Sequence, residues 1–247
     1  ILLRLEKVYR DNQSPRPVNK YQQSRMVLIG HSFGGAAVYS ALSQILISRA
    51  IERGDRASEE GVFGDLIVLL NPAFEARLLE PLRRTTLHHR RRPFLVILNA
   101  QNDLATKLAF PAGRVLSTLF ENYRDDNQRA ADRTSVGHFE AYRTHTLSDS
   151  GDAGCEGIDL SKLPERELDA RIEAHFQLVS KWEAVRSQPE YAIQLAGARL
   201  THLGRTHPEN PLQVIYVTDK DIIDGHSGFT SCDLVEFLRH YTLFNIQ

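Results

Sequence analysis

The sequence predicts an α/β fold: a mostly parallel sheet flanked by helices, with a long insertion before the last strand. Three observations predict it. Two short runs, Asp65-Leu66-Ile67-Val68-Leu69-Leu70 and Phe94-Leu95-Val96-Ile97-Leu98, are apolar without interruption, as strands covered on both faces are. Helical patterns separate such runs, and that alternation builds parallel strands with helices on the sheet faces. Finally, Gly30-His31-Ser32-Phe33-Gly34-Gly35 joins the run Met26-Val27-Leu28-Ile29 to a helical pattern from Ala36 to Arg53. Strand, G-x-S-x-G, helix is the context of a tight turn that presents its serine.

The elements follow in order. Ile1-Leu2-Leu3, Leu5 and Val8 give an amphipathic helix ending near Asp11. A polar linker with Pro15 and Pro17 leads to the first strand, Arg25 to Ile29. Gly35, Ala36, Ala37 and Ser40 are small and let the next helix pack closely on a sheet. Gly54 to Gly64 is polar and reads as a loop. The second strand, Asp65 to Leu70, ends at Asn71-Pro72. The third, Phe94 to Leu98, is entered through Pro93. Leu212 to Val217 is the fourth; being less apolar, it is placed near a sheet edge. A last helix, Ser231 to Leu243, sets Leu234, Val235, Leu238 and Tyr241 on one face. The interval between the third and fourth strands, residues 115–210, holds Asp125-Asp126, a glycine-rich stretch from Gly151 to Gly157 and a charged helix from Pro164 to Val185. It is expected to pack beside or over the site, within a single domain spanning all 247 residues.

Composition excludes several classes. Thirty basic and 31 acidic residues leave a net charge of -1, so bulk electrostatics draws the chain to neither nucleic acid nor an anionic membrane. No apolar stretch reaches membrane-spanning length. Cys155 and Cys232 lack metal-ligand spacing and do not resemble a disulfide framework, which leans toward a reducing, cytoplasmic compartment. His138 and His145 lack the i, i+4 spacing of a helical metal site. Arg83-Arg84 and Arg90-Arg91-Arg92, with His88-His89, have no interleaved aromatics and read as a solvated lead-in to the third strand.

The chemistry centres on Ser32. In so tight a turn the serine takes a strained backbone conformation, and glycines let strand and helix pass close. The helix N-terminus behind it suits a developing oxyanion. A serine hydroxyl needs a base, usually histidine, and a carboxylate to fix the tautomer of that histidine. Loops after parallel strands share one sheet edge. The third strand runs into Asn99-Ala100-Gln101-Asn102-Asp103, and the fourth into Thr218-Asp219-Lys220-Asp221-Ile222-Ile223-Asp224-Gly225-His226. Ser32, Asp103 and His226 therefore stand in the order Ser…Asp…His. His138, in Val136-Gly137-His138-Phe139, is the rival base, and Glu75, after Asn71-Pro72, the rival acid. Asp219, Asp221 and Asp224 read as loop polar groups. Phe74, Phe110 and Phe139 read as core, with lining of an acyl pocket as the alternative.

On these motifs the chain resembles the α/β-hydrolase superfamily. The resemblance rests on the Gly30–Gly35 turn, on Asn102-Asp103 and on Gly225-His226. It implies Ser32 as nucleophile, Asp103 as orienting acid, His226 as general base and the Phe33 N–H as one oxyanion donor. It further implies cleavage of an ester-type bond in a small-molecule or lipid-like acyl substrate, through an acyl-enzyme and without a cofactor. Two departures stand out. The superfamily has several more strands before the serine, where this chain has only residues 1–29. The chain is thus expected to be a fragment lacking the N-terminal part of the fold, with the second oxyanion donor upstream. Large insertions in the superfamily more often precede the acid-bearing strand, whereas this one falls between acid and histidine. The alternative is a non-catalytic binding or scaffolding protein on the same fold. The separation of Ser32 and His226 distinguishes the two.

Overall fold

The computed structural model describes residues 1–13, 24–53, 62–90, 92–118, 121–151 and 164–245. The Pro15 and Pro17 linker, positions 54–61 of the Gly54–Gly64 loop, Arg91 and the glycine-rich positions 152–157 with Cys155 lie outside the described residues. The strands are β1 (Val27–His31), β2 (Leu66–Leu70), β3 (Leu95–Ala100), β4 (His145–Asp149), β5 (Ala192–Leu195), β6 (Ala198–His202) and β7 (Leu212–Val217). The α-helices are α1 (Leu2–Asp11), α2 (Phe33–Arg53), α3 (Ala76–Thr86), α4 (Phe110–Ser117), α5 (Asp126–Arg133), α6 (Glu165–Val185) and α7 (Cys232–Asn245).

One seven-stranded sheet runs β1-β2-β3-β7-β4-β6-β5. Pairing is parallel from β1 through β4, and β6 and β5 close it as an antiparallel hairpin. The register sets Val27 beside Leu66, Ile67 beside Leu95 and Leu95 beside Leu212. This is the α/β class that the uninterrupted apolar runs predict, and the sheet explains them. Ile67, Leu69, Leu95, Ile97 and Val214 face one core, shared with Leu42 and Leu46 of α2 and Leu79 and Leu82 of α3. Leu66, Val68, Val96, Leu98 and Ile215 face the other, shared with Trp182 of α6 and Phe237 and Tyr241 of α7. A strand buried on both sides has no solvent face to alternate with.

The structure corrects several expectations. β7 is not an edge strand but the fourth of seven, between β3 and β4. Its low apolarity misleads because Gln213, only 2% exposed, accepts a hydrogen bond from the Tyr241 hydroxyl of α7; a buried polar group with a partner is compatible with a central strand. The inner face of α7 is Leu234, Phe237, Tyr241 and Phe244, whereas Val235 is 52% exposed. Part of the long interval continues the sheet, through β4, β6 and β5. Among the described residues, no helix is long and apolar enough to cross a membrane.

Cys232, at the start of α7, is disulfide-bonded. This corrects the expectation drawn from cysteine spacing and removes its support for a reducing compartment. A lone bridge in a chain with a large core leaves no repeated spacing to read. Denatured, unreduced protein should therefore show no thiol reactive to a chromogenic disulfide, and two after reduction, matching the two cysteines in the sequence. Two reactive thiols before reduction would overturn the bond.

Candidate active site

Ser32 occupies the single residue between β1 and α2, with φ +54°. A non-glycine residue in the left-handed region costs about 1–3 kcal/mol, so the surroundings must hold it. They do so from both sides. The Ser32 N–H donates to the Leu70 carbonyl at 3.0 Å, and the Ser32 carbonyl accepts from the N–H groups of Ala36 and Ala73, each at 3.1 Å. The turn is tight because glycines meet across it: a Cβ on Gly30 would lie 2.9 Å from the Cα of Gly35. Gly34, the second glycine of the motif, has open space around its Cβ position. The packing requirement thus falls on Gly35, one residue beyond the motif.

Asp103 follows β3, and its side chain is fully buried. Its carboxylate accepts from the N–H of Ala105 at 3.0 Å, the N–H of Thr106 at 3.2 Å and the Thr106 hydroxyl at 2.5 Å. It therefore caps the turn that begins the next helical segment. Sequence reasoning missed Thr106. The available signal was Asp-x-x-Thr, a capping carboxylate with a hydroxyl donor three residues on.

His226 sits in a loop after β7 that is pinched shut by a bridge between Asp224 and Gly228. A Cβ on Gly228 would lie 2.3 Å from the Asp224 carbonyl oxygen, so only glycine closes this loop. Asn102 ties it to the β3 end: its amide donates to Asp224 Oδ1 at 2.9 Å, and its Oδ1 accepts the Gly225 N–H at 3.0 Å.

These three loops bring Ser32, His226 and Asp103 together. Nε2 of His226 lies 2.8 Å from Ser32 Oγ, and Nδ1 lies 3.0 and 2.9 Å from the two Asp103 oxygens. A carboxylate only accepts, so Nδ1 carries the proton and Nε2 is left to accept from the serine hydroxyl. Burial alone would raise the Asp103 pKa. The Thr106 hydroxyl, the His226 imidazole and the Thr106 N–H outweigh it and hold the carboxyl below its ordinary range. Asp103 is closed to solvent while the His226 side chain is 28% exposed, so the open end of the relay is the serine end.

The rival residues have other partners. Glu75 is paired with Arg114 at 2.8 Å, within a network that includes Asp132. Nε2 of His138 accepts from the Asn99 amide at 3.0 Å, and burial pushes its pKa down to about 4. It is a neutral strut against the Asp103 main chain, whereas the imidazole bonded to Ser32 is that of His226. Asp224 is held by Asn102, and the Asp219 side chain accepts the Asp221 N–H, as loop polar groups do. Phe74 and Phe139 are buried core residues. Phe74 stacks on Tyr39 at 4.6 Å and lines a groove of 350 Å³ between α2 and α3. Among the described residues, no group of three or more His, Cys, Asp or Glu side chains could hold a metal ion.

Comparison with known proteins returns no match to any family model, curated protein or solved structure.

Proposed function

We propose that this chain is a serine hydrolase of the α/β-hydrolase superfamily, cleaving an ester-type acyl bond through an acyl-enzyme. The observation that carries this is the unbroken hydrogen-bond chain from Ser32 Oγ through His226 to Asp103, starting from a serine held at positive φ on a strand-to-helix turn. As Ser32 Oγ attacks the carbonyl carbon, His226 Nε2 takes its proton. Asp103 keeps Nδ1 protonated and stabilises the resulting imidazolium. The oxyanion lies toward the N-terminus of α2, where the Phe33 N–H, as the first helical residue, has no intrahelical acceptor. His226 then protonates the leaving group, the acyl group remains on Ser32, and water activated by the same imidazole releases the acid. Phe33 is 78% exposed beside the serine, which suits an apolar acyl group arriving from solvent. The 2.8 Å approach favours this reading over a binding protein on the same fold, in which a side chain would fill that gap.

A fluorophosphonate probe tests it. The protein should acquire a covalent adduct on Ser32, and Ser32→Ala should acquire none. Equal labelling of the two would overturn the proposal.

A further inference from the structure

The residue that follows β2 is unusual for its place. Asn71 is fully buried, and it takes φ +44° although it is not glycine. Glycine would hold that conformation without strain, so the asparagine side chain needs a use. Its contacts supply one. Asn71 Oδ1 accepts the Ala100 N–H at 2.8 Å, fixing the side chain against β3. Its amide then points up at the histidine loop, donating to the Gly225 carbonyl at 3.1 Å and the His226 carbonyl at 2.9 Å. The His226 carbonyl receives a second donor, Nε2 of His31, at 2.8 Å. The His31 ring also lies 4.9 Å from the ring of His226 and 4.5 Å from that of Phe229. His31 and Asn71 stand at the ends of neighbouring strands, with His31 beside Leu70 in the register.

We propose that Asn71 and His31 are positioning residues that clasp the main-chain carbonyl of His226 and so set the reach of its imidazole to Ser32. The inference rests on the hydrolase reading above. The physical case is lever-like. His226 belongs to a loop, and its ring must span from Asp103, after β3, to Ser32, after β1. The ring bonds fix its two nitrogens but not its Cα. Two donors on one carbonyl, both rooted in strand ends, fix the other end of the side chain. A carbonyl has two lone pairs, and both are used. Neither Asn71 nor His31 touches the reacting atoms, so each acts through His226.

The test uses three variants and two readouts. Asn71→Gly keeps the backbone conformation and removes the amide. Asn71→Asp keeps the acceptor for Ala100 but sets a carboxylate against the His226 carbonyl. His31→Phe keeps a ring on Phe229 and removes the second donor at a half-buried site, and a circular dichroism melting curve checks that it folds. The first readout is the rate of fluorophosphonate labelling of Ser32. The second is the downfield proton resonance of the His226 Nδ1–H bond to Asp103, which requires no turnover. Misplacement of a reacting group by about 1 Å costs about 100-fold. Labelling should therefore slow by about 10- to 100-fold in Asn71→Gly and in His31→Phe, with Asn71→Asp failing to restore it. The resonance should broaden or vanish at temperatures where the circular dichroism spectrum is unchanged. Labelling within twofold of wild type, with the resonance retained, would overturn the clasp. If wild type itself does not label, the hydrolase reading fails, and the resonance alone decides the clasp: its loss in the variants supports it and its retention overturns it.

Discussion

Asp103→Asn should lower the rate of Ser32 acylation by about 10⁴-fold, the scale seen when a buried orienting carboxylate is neutralised in the Ser-His-Asp arrangement. The size follows from tautomer chemistry. In the native site the carboxylate accepts from Nδ1 of His226 through both oxygens. An asparagine would keep its Oδ1 under the N–H groups of Ala105 and Thr106, which fix that end. Its amide nitrogen would then occupy the place of Oδ2 and present N–H groups to Nδ1. The imidazole would answer by accepting at Nδ1 and carrying its proton on Nε2. That proton would face Ser32 Oγ, and the ring could no longer take the serine proton. The fold should survive, because the substitution is isosteric and removes a buried charge. Single-turnover labelling of Ser32 with a fluorophosphonate, beside a melting curve, checks both halves. A loss of less than tenfold would show that the tautomer is set by something other than Asp103.

The second large effect is on stability. Between pH 6.5 and 4 the fold should lose most of its resistance to urea. Five of the ten histidines have their pKa lowered in the native state. Burial is the leading cause in each; at His240 the charge of Arg239 adds to it, and at His138 Asp103 opposes it while Arg143 adds. His138 and His240 fall to about 4, and full burial between Thr144 and Tyr191 holds His145 well below its ordinary value. The sign follows directly. In this window the unfolded chain, with histidines near 6.5, binds protons that the folded chain refuses, so stability drops as pH falls. A shift from 6.5 to about 4 is worth at most about 3 kcal/mol per histidine, against a typical total of 5–15 kcal/mol. Asp103 acts lower down. Its depressed pKa supplies stability at higher pH that is lost only as pH falls through its folded value, below the ordinary carboxylate range. Urea midpoints at several pH values should fall steadily toward pH 4, and His240→Phe should flatten that slope. A midpoint independent of pH over this range would refute the account.

How far the sequence reaches can be judged residue by residue. β2 and β3 are legible because they are apolar on both faces, and Ser32 because its glycines are adjacent in sequence. His226 and Asp103 are legible because a parallel sheet sends all its strand ends to one edge. What is illegible depends on pairing across long distances. Gln213 reads as an edge residue until Tyr241, 28 positions on, satisfies it. Asn71 reads as a strand terminator, since its partners are at 100, 225 and 226. The sheet membership of β4 and β6 is hidden because they carry histidine, threonine and, in β6, arginine, whose burial depends on neighbours; β5 is hidden because it is only four residues long, one of them Gln194.

The central place of β7 has a kinetic meaning. It comes last in chain order yet lies between β3 and β4, so β1-β2-β3 and β4-β6-β5 can each assemble while sharing no strand contact. Until β7 inserts, β3 and β4 both present open hydrogen-bonding edges, the kind that recruit other chains. Insertion is a slow, non-local event. The same event carries in the loop bearing His226, which immediately follows β7. Gain of serine reactivity during refolding should therefore track the final burial phase, and an intermediate halted before it would be both inert and prone to aggregate.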